Sequence, residues 1–148
     1  MGLKVYLDVC CLCRPFDESL DNRIFLEAEA VLAILAKCRD RWELVISEVI
    51  SHELNAINSI DKREKTLSFL SLAREHVTLT PDIIRLAESF WYNGVDTYDS
   101  LHYACALSTG ASFVTVDDSL IKKIMTLPGD QIYTAYNPVP WFMEHDHE

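Results

Sequence analysis

The chain has 148 residues, 49% hydrophobic and 24% charged, which suits a single compact domain spanning 1–148 with a sizeable core. Four glycines and five prolines leave little room for disordered linkers, and no apolar run reaches the roughly 18 residues of a membrane span, so no membrane partner is expected. A formal net charge of −10 weighs against an obvious polyanion binder, because nucleic-acid binders hold phosphates with basic patches. Cations bound among the acids would locally reverse that field.

Met1-Gly2-Leu3-Lys4 runs at once into a strand-like segment, so no export signal is expected and the protein reads as cytoplasmic. The five cysteines, at 10, 11, 13, 38 and 105, read as reduced thiols packed as small hydrophobes. Cys10-Cys11-Leu12-Cys13 lacks the paired spacing of a zinc site.

Lys4 to Asp8 has a strand pattern ending in an acid, and residues 10–22 read as a loop turning at Arg14-Pro15-Phe16-Asp17. Ile24 to Cys38 is predicted helical, with Ala28, Val31, Leu32 and Leu35 at helical spacing. Leu44-Val45-Ile46 is a second strand, and Ser47 is placed to cap the helix that follows. A helix from Lys62 to about Glu75 and a strand over Val77-Thr78-Leu79 come next. Thr80-Pro81 opens a helix that runs to about Tyr92 and stops at Asn93-Gly94. A further helix starts at Asp96 or Thr97, with Leu101, Ala104, Cys105 and Ser108 inward and Gly110 as its stop. Ser112 to Val116 is a fourth strand, again followed by an acid, and Ser119 to Leu127 a last clear helix. Gln131-Ile132-Tyr133 is a candidate fifth strand, and the tail from Asn137 is expected to be peripheral. Alternating strands and helices without hairpin turns predict a parallel sheet covered on both faces.

Asp8 and Asp117 each follow an apolar strand, and ligands of open parallel sheets bind beyond the carboxyl ends of the strands. An aspartate there also caps the next helix, an ordinary role open to both. Glu53 is flanked at helical spacing by Val49, Ile50, Ala56 and Ile57, so its carboxylate must be paired, protonated or bound to metal. Asp99 and Asp96 both lie at a helix start, where the dipole favours a carboxylate, and physics alone does not separate them. Were these acids to converge, each pair at about 4 Å would repel by roughly 1–4 kcal/mol, and an oxygen-rich site of that kind selects Mg²⁺ or Mn²⁺.

Four stretches together resemble the PIN-domain nucleases, including the VapC-like toxins of toxin–antitoxin modules. They are Val5-Tyr6-Leu7-Asp8, Ser47 to Leu54, Asp99-Ser100-Leu101-His102-Tyr103-Ala104, and Phe113 to Leu120, spread over nearly the whole chain. The resemblance implies a three-layer α/β/α sandwich with a short parallel sheet and a Mg²⁺- or Mn²⁺-dependent endoribonuclease acting on RNA. It implies Asp8, Glu53 and Asp99 as metal ligands and Asp117 as a fourth acid, direct or through water. It chooses Asp99 over Asp96, and gives Thr115 the task of ordering the acids. It further implies an antitoxin protein that occludes the acidic groove and a homodimer, to which Trp91, Tyr92 and Trp141 are candidates to contribute. His102 belongs to the pattern, and simple packing on its helix face would also explain it. Arg14 is in reach either of a substrate phosphate or of Asp17. Where many members carry a serine or threonine after the first aspartate, this chain has Val9-Cys10-Cys11. Rival readings are a non-catalytic RNA- or protein-binding module and a phosphatase of another α/β family. A haloacid-dehalogenase-type site would place an aspartate where Cys10 stands.

Overall fold

In the computed structural model, which describes residues 2–148, four parallel strands are ordered β3-β2-β1-β4: β1 Lys4–Leu7, β2 Glu43–Ser47, β3 Ala73–Val77 and β4 Ser112–Val114. The chain steps from β1 to β2 to β3 in one direction and then jumps back across the sheet to β4. Parallel crossovers are right-handed, so the helices of the two directions flank opposite faces. That is the expected three-layer arrangement. Central β1 buries Val5, Tyr6 and Leu7 completely, with Tyr6 in register with Val45 and Phe113. Asp8, Ser47 and Thr115 therefore emerge together at the carboxyl edge of the sheet.

The segment read as a loop after Asp8 is instead helical: α1 covers Val9–Cys13 and a 3-10 turn follows over Arg14–Phe16. One turn is too short for periodicity to show, but Cys11, Leu12 and Cys13 are buried by it. α2 spans Asn22–Cys38, capped by Asp21 through Arg23 N–H and Ile24 N–H. Its inner face is Ala30, Val31, Ile34, Leu35 and Cys38, while Leu32 faces outward. Ser47 caps α3, Glu48–Asn55, by accepting the Ile50 N–H, as its position predicts.

α4 runs over Ile60–Ser68 and tightens into a 3-10 turn at Phe69–Leu72, so the helix predicted to Glu75 ends early. The strand expected at 77–79 lies at Ala73–Val77 instead. β3 is a sheet edge with mostly polar side chains, among them Glu75, which pairs with Lys4 at 3.0 Å. An edge strand of this kind shows no apolar run.

α5, Pro81–Tyr92, is capped by Thr80 as expected. α6, Thr97–Thr109, ends at Gly110, whose φ of +75° is a left-handed conformation that glycine adopts without strain. α6 is packed on more than one side. Ser100, His102, Tyr103 and Ala106 are buried beside Ala104 and Cys105, whereas Leu101 is only partly covered and Ser108 is exposed. β4 stops two residues before the predicted end, and α7 spans Asp118–Met125. No strand forms at 131–133. The extended pairing falls at Tyr136, which bridges Val114 in parallel, with Thr115 N–H donating to Tyr136 C=O at 2.8 Å.

The tail is not peripheral. It forms α8, Pro138–His145, which packs on α2 and buries Trp141 edge-on against Trp42 at 5.4 Å. Trp141 is thus a core residue, whereas Trp91 and Tyr92 are exposed. All five cysteines are free; four are buried, and burial pushes the Cys38 thiol up to about 12 and that of Cys105 to about 11. Among the described residues no helix is long and apolar enough to cross a membrane.

Candidate functional site

Asp8 stands where β1 gives way to α1. Val9 N–H donates to its Oδ1 at 2.8 Å, and the Thr115 hydroxyl donates to its Oδ2 at 2.9 Å. The Cys10 thiol donates to the same Oδ2 at 3.4 Å and lies 3.2 Å from Thr115 Oγ1. Only 6% of Asp8 is exposed, so these donors replace the water it has lost. Asp117 is the counterpart after β4. Leu120 N–H donates to its Oδ1 at 3.1 Å, and its own N–H donates to Thr115 Oγ1 at 3.2 Å. Both strand-end acids do cap the next helix, and Thr115 ties the two together.

Glu53, half-buried on α3, is paired with a histidine rather than with a lysine or arginine: its Oε1 meets His102 Nε2. His102 is fully buried on α6, and its Nε2 also lies 4.0 Å from Asp8 Oδ1. Its other ring nitrogen, Nδ1, is 2.6 Å from the Tyr6 hydroxyl, which is 2.7 Å from Ser47 Oγ. One imidazole therefore stands between two of the acids.

Asp99 lies in the first turn of α6. Burial, then the charge of Asp8, and further those of Asp117 and Asp96 push its carboxyl up to about 6, while His102 opposes the shift. Asp96 occupies the N-cap position, yet its side chain makes no capping hydrogen bond. The four acids are thus linked, Asp8 to Asp117 through Thr115, Asp8 and Glu53 to His102, and Asp99 by charge to Asp8 and Asp117. Among the described residues, no three His, Cys, Asp or Glu side chains stand close enough to hold a metal ion as they are. The four acids nonetheless offer only carboxylate oxygens, a donor set that fits a hard divalent ion such as Mg²⁺ or Mn²⁺.

The shift at Asp99, from burial first and the charge of Asp8 second, has a measurable sign. The folded state binds a proton at Asp99 that the unfolded state, near pKa 3.9, has released, so its contribution to stability falls as pH rises from about 4 to about 6. The Asp99→Asn variant is expected to be more stable than wild type at pH 7 by on the order of 1 kcal/mol, water at the half-buried carboxylate screening the rest. Urea unfolding in a chelator checks this; at pH 4 the gain should vanish.

Arg14 is fully engaged within the protein. Its guanidinium meets Asp17 at 3.1 Å, the contact foreseen as an alternative, and also Glu27 at 2.9 Å. Glu27 is 1% exposed and further accepts from Arg23 Nε at 3.1 Å and Asn137 Nδ2 at 2.6 Å. Arg23 continues to Asp118, the residue after Asp117, at 2.7 Å. The sequence held a signal for this network: Glu27 has Ile24, Ala30 and Val31 at helical spacing, the same pattern that drew attention to Glu53. The Ser47–Tyr6–His102 linkage carried none, since its members lie 41 and 96 residues apart.

The PIN domain family model matches residues 5–124. The crystal structure of FitAcB from Neisseria gonorrhoeae is similar with a TM-score of 0.61 at 14% identity, over 90% of this chain and 97% of that one. PAE2754 from Pyrobaculum aerophilum is similar with a TM-score of 0.58 at 16% identity, over 99% and 91%. At such identities the likeness is one of fold. No curated protein matches significantly in sequence.

Proposed function

The chain belongs to the PIN-domain family, and from that premise we propose that it is a Mg²⁺- or Mn²⁺-dependent endoribonuclease acting at the carboxyl edge of its sheet. The observation that carries the reading is the meeting of the strand-end acids at one edge of the sheet, Asp8 joined to Asp117 by Thr115 and to Glu53 by His102. Asp8, Glu53, Asp99 and Asp117 would hold the ion. The chemistry such an ion supplies when bound is polarisation of a phosphodiester and activation of water. The chain's own contribution is placement: helix caps fix Asp8 and Asp117, and Thr115 donates to the Asp8 carboxylate while accepting the Asp117 N–H. No side chain is needed as a covalent nucleophile.

The same reading makes the whole chain one nuclease domain, since a single buried cluster runs from Val5 to Trp141. Free, buried thiols suit a cytoplasmic setting. As a toxin, a protein of net charge −10 would suit an antitoxin that offers Arg or Lys to the carboxylates. A homodimer would use the apolar groove of about 380 Å³ lined by Ile84, Trp91 and Leu101. The non-catalytic reading has one observation in its favour, that no ready-made ligand cluster is present among the described residues.

Mn²⁺ titration separates the two. Saturable binding below the millimolar range, lost in Asp8→Asn, is the expected result; no binding at millimolar Mn²⁺ favours the binding module. A small phosphate monoester should remain intact beside an RNA oligonucleotide that is cut. Turnover of the ester alone would favour a phosphatase.

A further inference from the structure

Hydrogen-bond polarity can be followed back from Glu53, whose carboxylate only accepts, to the end of β2. The hydrogen between Glu53 Oε1 and His102 therefore lies on Nε2. At the far end the Tyr6 oxygen stands 2.7 Å from Ser47 Oγ, which accepts the Ile50 N–H at 3.3 Å and still has a proton to give. Tyr6 then has one proton to give, and His102 Nδ1 is 2.6 Å from its oxygen. Burial pushes the Tyr6 phenol well above its usual range, so it remains a donor. An Nδ1 that accepts carries no hydrogen, and the ring proton sits on Nε2, facing Glu53 Oε1. Ser47, Tyr6 and His102 are all 0% exposed, so water does not compete for these bonds.

We propose that Ser47, Tyr6 and His102 form a one-way hydrogen-bond chain that fixes His102 as the Nε2–H tautomer and thereby makes it the positioning residue for Glu53. The proposal rests on the reading of Glu53 as an acid of the site. A carboxylate on a half-exposed helix face has several rotamers open to it. An imidazole clamped at its far nitrogen selects the one that leaves the second oxygen, Oε2, available. His102 lies too far from Asp8, at 4.0 Å, to divide its proton between the two acids. Outer partners of this kind commonly alter metal affinity by about 10- to 100-fold when removed.

The test begins with the metal-free, ¹⁵N-labelled full chain. Long-range proton–nitrogen correlation, with His102 assigned by its loss in His102→Gln, is expected to show a protonated Nε2 and a bare Nδ1 at neutral pH. An Nδ1–H tautomer, or both nitrogens protonated, overturns the chain. In Tyr6→Phe, which keeps the ring against Phe113, the second tautomer should appear and Mn²⁺ affinity should fall about 10- to 100-fold. Ser47→Ala supplies the same readout should Tyr6→Phe not fold. Glu53→Gln separates the two ways of failing. If it leaves Mn²⁺ affinity unchanged, Glu53 is not an acid of the site and the underlying reading falls. If it weakens binding while Tyr6→Phe and Ser47→Ala do not, Glu53 stands and its positioning by His102 is refuted.

Discussion

Replacing Asp8 with asparagine should reduce RNA cleavage by at least about a thousandfold while leaving the fold intact, because it removes charge from the centre of the site and little else. Asp8 is the acid through which the others are linked: Thr115 joins it to Asp117, its charge helps raise Asp99, and His102 lies 4.0 Å from it. The amide oxygen of asparagine can still accept the Val9 N–H that begins α1. The amide nitrogen then faces Thr115 Oγ1, which can turn to accept. A stability change within about 1 kcal/mol is therefore expected, as for a neutral hydrogen-bond exchange. Thermal unfolding of the variant beside its activity checks both halves. Cleavage at the wild-type rate would remove Asp8 from the mechanism, and an unfolded variant would show that the carboxylate is needed for architecture first.

The largest effect on stability is expected at Glu27, outside the four acids. Its carboxylate accepts from Arg14, Arg23 and Asn137 with 1% of its surface exposed, joining α2 to the turn after α1 and to the start of α8. Removing one partner of a buried ion pair destabilises by about 3–5 kcal/mol. Glu27→Ala belongs at the low end, about 3 kcal/mol, because Arg14 and Arg23 both retain some contact with water. For a chain of this size that is a fall in melting temperature of roughly 6–12 °C. A fall of under 2 °C would mean that the network is replaced by water without loss. Because Arg23 also holds Asp118, activity should decline in Glu27→Ala at temperatures where the protein is still folded.

Glu27 and Glu53 show what the sequence could and could not reveal. Both have apolar neighbours at helical spacing, and periodicity treats them alike. Only the structure separates a completely buried hub, Glu27, from Glu53, half-buried at the rim with exposed Ala56 beside it. The strand-end acids were legible because apolar strands followed by aspartate are local patterns, and a parallel sheet gathers its strand ends on one edge. β1, β2, α5 and their caps were readable for the same reason. β3 was displaced because an edge strand needs no apolar run, and α1 was missed because one turn has no period. The C-terminal helix was read as tail, since two prolines and several acids hid one decisive residue, Trp141, whose partner Trp42 lies 99 positions earlier in the chain. The Ser47–Tyr6–His102 linkage joins three elements, and no local pattern encodes it.

The most direct measurement is the fate of a labelled single-stranded RNA pool incubated with the wild-type chain and Mn²⁺ or Mg²⁺, before and after EDTA, with Asp8→Asn alongside. Discrete fragments without 2′,3′-cyclic phosphate ends are expected, since water rather than the 2′-hydroxyl attacks. They should disappear in EDTA, return with excess Mn²⁺, and be absent with the variant. Cleavage that persists undiminished in EDTA, or that Asp8→Asn performs equally well, would contradict a metal-dependent nuclease built on these carboxylates.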